Sequence, residues 1–286
     1  MFGGVILIDN KPLRKTSGVG GALFLSGFSA NRGVAASGLI DFSPSILPGL
    51  SGRIQGSLRK FGDAKTPNYF LKNTGLEEYN FSYALGYTRK KVGIDIFYSQ
   101  FNTKLGILSS SHIGNLTDLK AAIASPVPLE TAGFSYAINR PYQEVSHELF
   151  KTNAFLKMSN GGKFSATYAL QYNDRKEYDK HKPLNDSLAA AGNPELELHI
   201  TTHTTNLVYD YSGAKNLTTI VGVSGIVQGN IYKGRYFIPN FRSYAGGVFC
   251  IEQWEAKKWK AEVGIRYDYK WLQAYYYKNN VYQDPS

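Results

Sequence analysis

Apolar and polar side chains alternate one by one along runs of roughly ten residues or more, and no other feature constrains the fold of this chain as tightly. Tyr79, Phe81, Tyr83, Leu85 and Tyr87 alternate with Asn80, Ser82, Ala84, Gly86 and Thr88. Phe164, Ala166, Tyr168, Leu170 and Tyr172 alternate with Ser165, Thr167, Ala169, Gln171 and Asn173. Trp259, Ala261, Val263, Ile265, Tyr267, Tyr269 and Trp271 alternate with Lys260, Glu262, Gly264, Arg266, Asp268 and Lys270. Successive side chains of a strand point to opposite faces, so each run has one apolar and one polar surface. A soluble sandwich alternates too, but its strands usually span about 5–6 residues. A strand that crosses a membrane needs about 9–11. These runs have the longer length, and their Tyr- and Trp-rich ends fit aromatic girdles at two membrane interfaces. The pattern predicts an all-β chain forming an antiparallel transmembrane β-barrel.

Eleven strands are expected, near 18–29, 33–43, 50–60, 78–88, 92–103, 144–158, 163–175, 196–211, 216–229, 243–255 and 258–273. Their connections differ in length. Arg89-Lys90-Lys91, Ser159-Asn160-Gly161-Gly162, Ser212-Gly213-Ala214-Lys215 and Ala256-Lys257 are turn-type sequences, and Pro44 to Gly49 is slightly longer. The links at 61–77, 104–143, 176–195 and 230–242 are long. Short turns on one rim and long loops on the other match a periplasmic and an extracellular side. Two strands break the pattern. In 196–211 the apolar parity switches from Leu196, Leu198 and Ile200 to Leu207, Tyr209 and Tyr211, which predicts a bulge near His203. In 144–158, Lys and His residues interrupt both faces, so its outer half is expected to project beyond the membrane. Within 104–143, Leu116, Leu119 and Ile123 share one helical face, capped by Asn115 or Thr117 and stopped by Ser125-Pro126.

Composition narrows the function. No stretch approaches the roughly 18 apolar residues of a transmembrane helix. The formal charge is +10, from 32 basic and 22 acidic side chains. Arg53, Arg59, Arg175, Arg266 and Lys270 are spread over polar strand faces rather than gathered in a stripe, so no nucleic-acid partner is expected. Cys250 is the only cysteine, which excludes an internal disulfide and a cysteine metal centre. Gly18-Val19-Gly20-Gly21 lacks the Lys-Ser/Thr of a phosphate loop. His199 and His203 share a strand face but stand roughly 13 Å apart, too far to hold one ion. His112, His147 and His181 fall in or beside predicted loops. No nucleophile has a partnered base, so neither an enzyme nor a resident cofactor or metal is expected. Met1 is followed directly by Phe-Gly-Gly-Val-Ile-Leu-Ile, without a basic leader. A membrane barrel must be exported, so this start is expected to lie inside a longer protein.

The opening Gly3-Gly4-Val5-Ile6-Leu7-Ile8-Asp9-Asn10-Lys11-Pro12 resembles the end of the plug domain of TonB-dependent receptors. Arg53-Ile54-Gln55-Gly56-Ser57, Lys65-Thr66-Pro67-Asn68-Tyr69, the stretch from His112 to Leu119, that from Arg140 to Val145, and Gly264-Ile265-Arg266-Tyr267-Asp268 are similar to later stretches of that family. The resemblance implies a 22-stranded barrel around an N-terminal plug, of which about 11 strands are present. Residues 1–14 would be the plug's C-terminal remnant and 15–286 the first half of the barrel. It implies an outer-membrane receptor of a Gram-negative bacterium, surrounded by outer-membrane lipid, that takes up a scarce nutrient such as a ferric siderophore. The TonB complex would pull on a segment ahead of the plug that this sequence lacks, and a fragment of this kind is expected to be inactive alone. Tyr69, His112, Arg140, Tyr142, Arg175 and Tyr236, in predicted outer loops and upper lumen, suit an anionic or catechol-like ferric chelate. Arg53, Arg59 and Arg266 are expected to face the plug from the lumen. The rival readings are a soluble β-sheet binding or adhesin-like protein and a small porin-type barrel.

Overall fold

A computed structural model describes residues 11–111, 113, 115–180, 192–214, 216–235 and 237–275. The strands are β1 (Gly18–Phe28), β2 (Gly33–Ser43), β3 (Leu50–Phe61), β4 (Ala64–Lys65), β5 (Phe70–Leu71), β6 (Leu76–Thr88), β7 (Val92–Gly106), β8 (Thr131–Ala132), β9 (Tyr142–Lys157), β10 (Gly162–Tyr178), β11 (Leu196–Ala214), β12 (Leu217–Gly234), β13 (Asn240–Ala256) and β14 (Trp259–Tyr275). One helix, α1 (Leu116–Ala124), lies in the longest loop. Eleven strands form one antiparallel sheet in the order β1-β2-β3-β6-β7-β9-β10-β11-β12-β13-β14, and β4, β5 and β8 form a small separate sheet. Among the described residues β1 and β14 are each paired along one edge only.

Register assigns the two faces. Ile54 pairs with Tyr83, Tyr83 with Tyr98, Tyr98 with Phe150 and Phe150 with Leu170, so an apolar row crosses five strands on one face. One step along, Asp95 pairs with Asn153, Asn153 with Thr167, Thr167 with Asn206 and Asn206 with Ser224 on the other. The apolar face has no cover. Leu23, Leu25 and Ile265 are more than 70% exposed, while the buried hydrophobic side chains among the described residues are Ala169, Leu196 and Leu198. A soluble sandwich would lay a second sheet over such a face. A sheet whose apolar side meets hydrocarbon needs none.

Glycines let the strands pack closely. A Cβ on Gly52 would lie 2.3 Å from the Phe42 ring, one on Gly93 2.2 Å from Phe155, and one on Gly222 2.4 Å from Phe249. In each case the ring covers the glycine facing it on the neighbouring strand, which pins register. Gly49 ends the first lower turn with φ +95, and Thr88 donates its N–H to the Gly49 carbonyl at 2.9 Å.

The strands outrun the expected boundaries mainly on the long-loop side: β7 reaches Gly106, β10 Tyr178 and β12 Gly234. Strands of 16–19 residues exceed the roughly 9–11 needed to cross, so their upper ends project. This corrects the expected bulge at His203. Pairing of β11 runs unbroken through His203 on both sides, and the register shift lies between Tyr211 and Ala214. Parity changes for another reason. Leu196 and Leu198, on the inward face of the projecting end, are buried, each only 4% exposed. Leu207, Tyr209 and Tyr211 lie on the outward face of the spanning end.

Candidate ligand vestibule

The projecting ends carry loops that tie to one another. β5 joins β4 to β8 through Lys65↔Phe70 and Phe70↔Ala132. Beside this small sheet, Asp63 is 2% exposed; its carboxylate accepts the Thr74 N–H at 2.9 Å, and its own N–H donates to the Ser135 carbonyl at 2.9 Å. Asn73, with φ +65, donates through Nδ2 to the carbonyls of Ile107 (2.9 Å) and Pro141 (2.7 Å) and accepts the Asn139 N–H at 2.8 Å. Asn tolerates this left-handed backbone better than most residues, and here its amide closes one loop on another. The Arg32 guanidinium sits 4.2 Å from the Phe134 ring centre, and Tyr136 donates its hydroxyl to the Arg32 carbonyl at 2.7 Å.

Charge pairs complete the cap. Arg140 donates to Glu195 Oε1 at 2.5 Å and to the Asn193 carbonyl at 2.9 Å. The other Glu195 oxygen accepts the Asp179 N–H at 2.7 Å, and Arg235 pairs with Asp179 at 2.9 Å. The Asp179 carboxylate bonded to Arg235 raises that guanidinium's pKa. Glu130 receives Lys180 and, at 3.2 Å, Lys72. Those hydrogen bonds, Lys180 first, hold its carboxyl below the ordinary value of 4.5. Asp63, Lys72, Asn73, Glu130, Arg140 and Lys180 line a cavity of about 350 Å³. Its three cations are held by Glu130 and, through Arg140, by Glu195.

The sequence-predicted residues scatter. Arg140 lines this cavity. Tyr69 is half-buried between β4 and β5, its carbonyl accepting both the N–H and the hydroxyl of Thr66. Tyr142 shares the outward face with Tyr178, stacked on it at 4.2 Å. Arg175 takes the inward face beside Glu177. His112, Tyr236 and His181 lie outside the described residues. His147 is half-buried on the inward face of β9, 3.4 Å from Asn173. Arg53, Arg59 and Arg266 all lie on the polar face, paired with Asp41 (2.7 Å), Glu78 (3.2 Å) and Asp268 (2.6 Å). Arg53 also donates to the carbonyls of Lys11 (2.8 Å) and Pro12 (3.4 Å), so the first described residues lie against this face. Lys72, Glu130, Lys180 and Glu195 escaped sequence reading. They sit in aperiodic loops, and only their charge marked them.

Asp174, Glu197 and His199 bring ligand atoms together on the outward face. Asp174 and His199 are cross-strand partners, a pairing invisible to spacing within one strand. The Lys176 ammonium lies 3.0 Å from Asp174 and 3.8 Å from Glu197, and so already occupies the place of a cation.

No protein-family model matches the sequence, and a comparison with curated proteins finds no match. Solved structures do match. The FrpB iron transporter from Neisseria meningitidis (F3-3 variant) superposes with a TM-score of 0.65 over 90% of this chain at 14% identity. The fold is that of part of a TonB-dependent receptor. The copper transporter OprC gives 0.63 over 92% of this chain at 13% identity, and the ferric enterobactin receptor PfeA from Pseudomonas aeruginosa 0.58 over 90% at 10%. This chain spans only 41%, 39% and 40% of those three structures. Identities this low establish the TonB-dependent receptor fold and leave the cargo to the site.

Proposed function

We propose that this chain is part of the barrel of a TonB-dependent receptor in a Gram-negative outer membrane, taking up a nutrient chelate. The observation that carries the reading is one eleven-stranded sheet with an uncovered apolar face, in a chain of which 90% superposes on an iron transporter. In this reading, further strands close the barrel across the open edges of β1 and β14, because unpaired backbone groups cost several kcal/mol each in hydrocarbon. Residues 1–14 then end the plug, with Arg53 holding Lys11 and Pro12 from the lumen. The cavity beside Arg140 takes the oxygen-rich edge of the ligand, and a ferric chelate has that chemistry. A TonB-type complex supplies the energy through a segment ahead of the plug.

The test is binding of ferric citrate and of a ferric tricatecholate to the intact protein in detergent. Lys72→Gln and Lys180→Gln, which leave the Arg140–Glu195 knot intact, are each expected to weaken binding by at least about tenfold, since a charge-assisted hydrogen bond contributes about 1.5–3 kcal/mol. Unchanged affinity in both variants removes this cavity from the ligand path.

A further inference from the structure

The inward face carries a second cavity, of about 750 Å³, at the short-turn end of the sheet. Gly49 and Thr88, where the first lower turn closes on β6, mark its height. Lys11, Arg14, Lys15, Arg53, Lys151 and Asp95 line it. Register sets the wall side. Asp95 and Asn153 stand in the polar row described above, and Lys151 on β9 and Arg53 on β3 share that face. The other side is the segment that enters β1. Arg53 holds it through the Lys11 and Pro12 carbonyls, at 2.8 and 3.4 Å. Leu13 rests on Gly86, where a Cβ would lie 2.9 Å from its Cδ1, and Arg14 crosses Gly20, where a Cβ would lie 2.8 Å from its Nη1. Both glycines let the segment approach the wall closely.

Charge balance sets this cavity apart. Arg53 is neutralised by Asp41 at 2.7 Å. Among the described residues, Lys11, Arg14, Lys15 and Lys151 have no carboxylate partner, and Arg14 donates only from Nε, to the Thr16 carbonyl at 2.9 Å. Arg14 is half-buried and the three lysines are exposed, so solvent reaches their charged ends. Four free cations thus share one concave surface with a single unpaired carboxylate, Asp95. The upper cavity is the reverse, its cations tied to Glu130 and Glu195. Like charges gathered in a cleft focus their field and draw in an anion. Arg and Lys side chains recognise phosphate and carboxylate oxygens. The volume falls in the range of small-molecule sites, roughly 300–1,000 Å³.

We propose that this cavity is an anion-binding site for a compact polyanion with phosphate or carboxylate oxygens, held by Lys11, Arg14, Lys15 and Lys151. The inference rests on the receptor reading above, in which the short-turn end is the periplasmic mouth of the lumen. A ferric chelate leaving there presents oxygens of this class, at the opposite end of the barrel from the cavity beside Arg140.

The experiment uses the intact protein in detergent and pyrophosphate as the probe. Lysines are acetylated with sulfosuccinimidyl acetate, with pyrophosphate or with sodium chloride of equal ionic strength, and each rate is read by mass spectrometry. Pyrophosphate at saturation is expected to slow Lys15 and Lys151 at least about tenfold and to leave Lys90 and Lys257, in the lower turns, unchanged. Arg14→Gln should raise the concentration giving half protection about tenfold, and Lys151→Gln should do the same when read at Lys15. Equal slowing at Lys90 and Lys257 marks general screening and overturns the proposal. So does a half-protection concentration that neither substitution moves. Lysines that react slowly with or without pyrophosphate also overturn it, because the receptor's own carboxylates then fill the cavity. A nitroxide at Phe150→Cys in a Cys250→Ala background, in phosphatidylcholine bilayers, separates this from the parent reading. Collision with oxygen rather than an aqueous nickel chelate keeps Phe150 in hydrocarbon whatever pyrophosphate does, whereas the reverse removes the membrane-barrel reading itself.

Discussion

Asn73 holds three backbone groups of one distant loop, at Ile107, Asn139 and Pro141, with one amide, at 4% exposure and in a left-handed backbone. Asn73→Ala strands two carbonyls and one N–H. The expected cost is about 2–4 kcal/mol, since each unsatisfied buried group costs about 1–3 kcal/mol and part is recovered by water. Hydrogen exchange should show the loss at 62–75 and 107–141, with strand amides unaffected. Glu130 belongs to the same scale. Its pKa is lowered by Lys180 and Lys72, so its contribution to loop docking is complete above the ordinary value of 4.5 and lost as pH falls through the lowered one. Limited proteolysis of the 107–141 loop across acidic pH should show cleavage accelerating in that window, and Glu130→Gln should flatten the profile.

Among elements, the lower turns and upper ends obey different physics. At Gly49 a Cβ would lie 2.3 Å from the Thr88 carbonyl oxygen in a backbone with φ +95. Gly49→Ala should cost about 1–3 kcal/mol of strain and lower the urea midpoint of the intact protein. The outcome that contradicts this is an unchanged midpoint. α1 shows local legibility: Asn115 caps it by accepting the Asp118 N–H at 2.9 Å, and Ser125 ends it, as the sequence pattern predicts. β11 shows the opposite. Its parity switch reads as a bulge because sequence pattern shows which residues are apolar and not which face is covered. At the upper end of the strand the inward face is the buried one, so Leu196 and Leu198 turn inward without any break in pairing.

For the whole molecule, what counts is that among the described residues β1 and β14 each have one unpaired edge. Unpaired strand edges are excluded from hydrocarbon and template aggregation in water. The isolated chain is expected to give no discrete conductance in planar bilayers and to sediment as aggregates without detergent; a monodisperse, detergent-free monomer would instead favour the soluble reading. Eleven strands, their order and the two rims were legible in the sequence, because a period of two and the spacing of turn residues are local properties of the chain. The apolar belt was legible for the same reason, since lipid selects every second side chain along each strand. What the tertiary structure alone decided depends on contacts between residues far apart in sequence. It brought Glu130 to Lys72 and Lys180, closed Asn73 on a distant loop, and laid Lys11 and Pro12 against Arg53. Loop closure and cross-strand register follow from side chains that meet only when the whole sheet has formed, and no repeat along the chain encodes them.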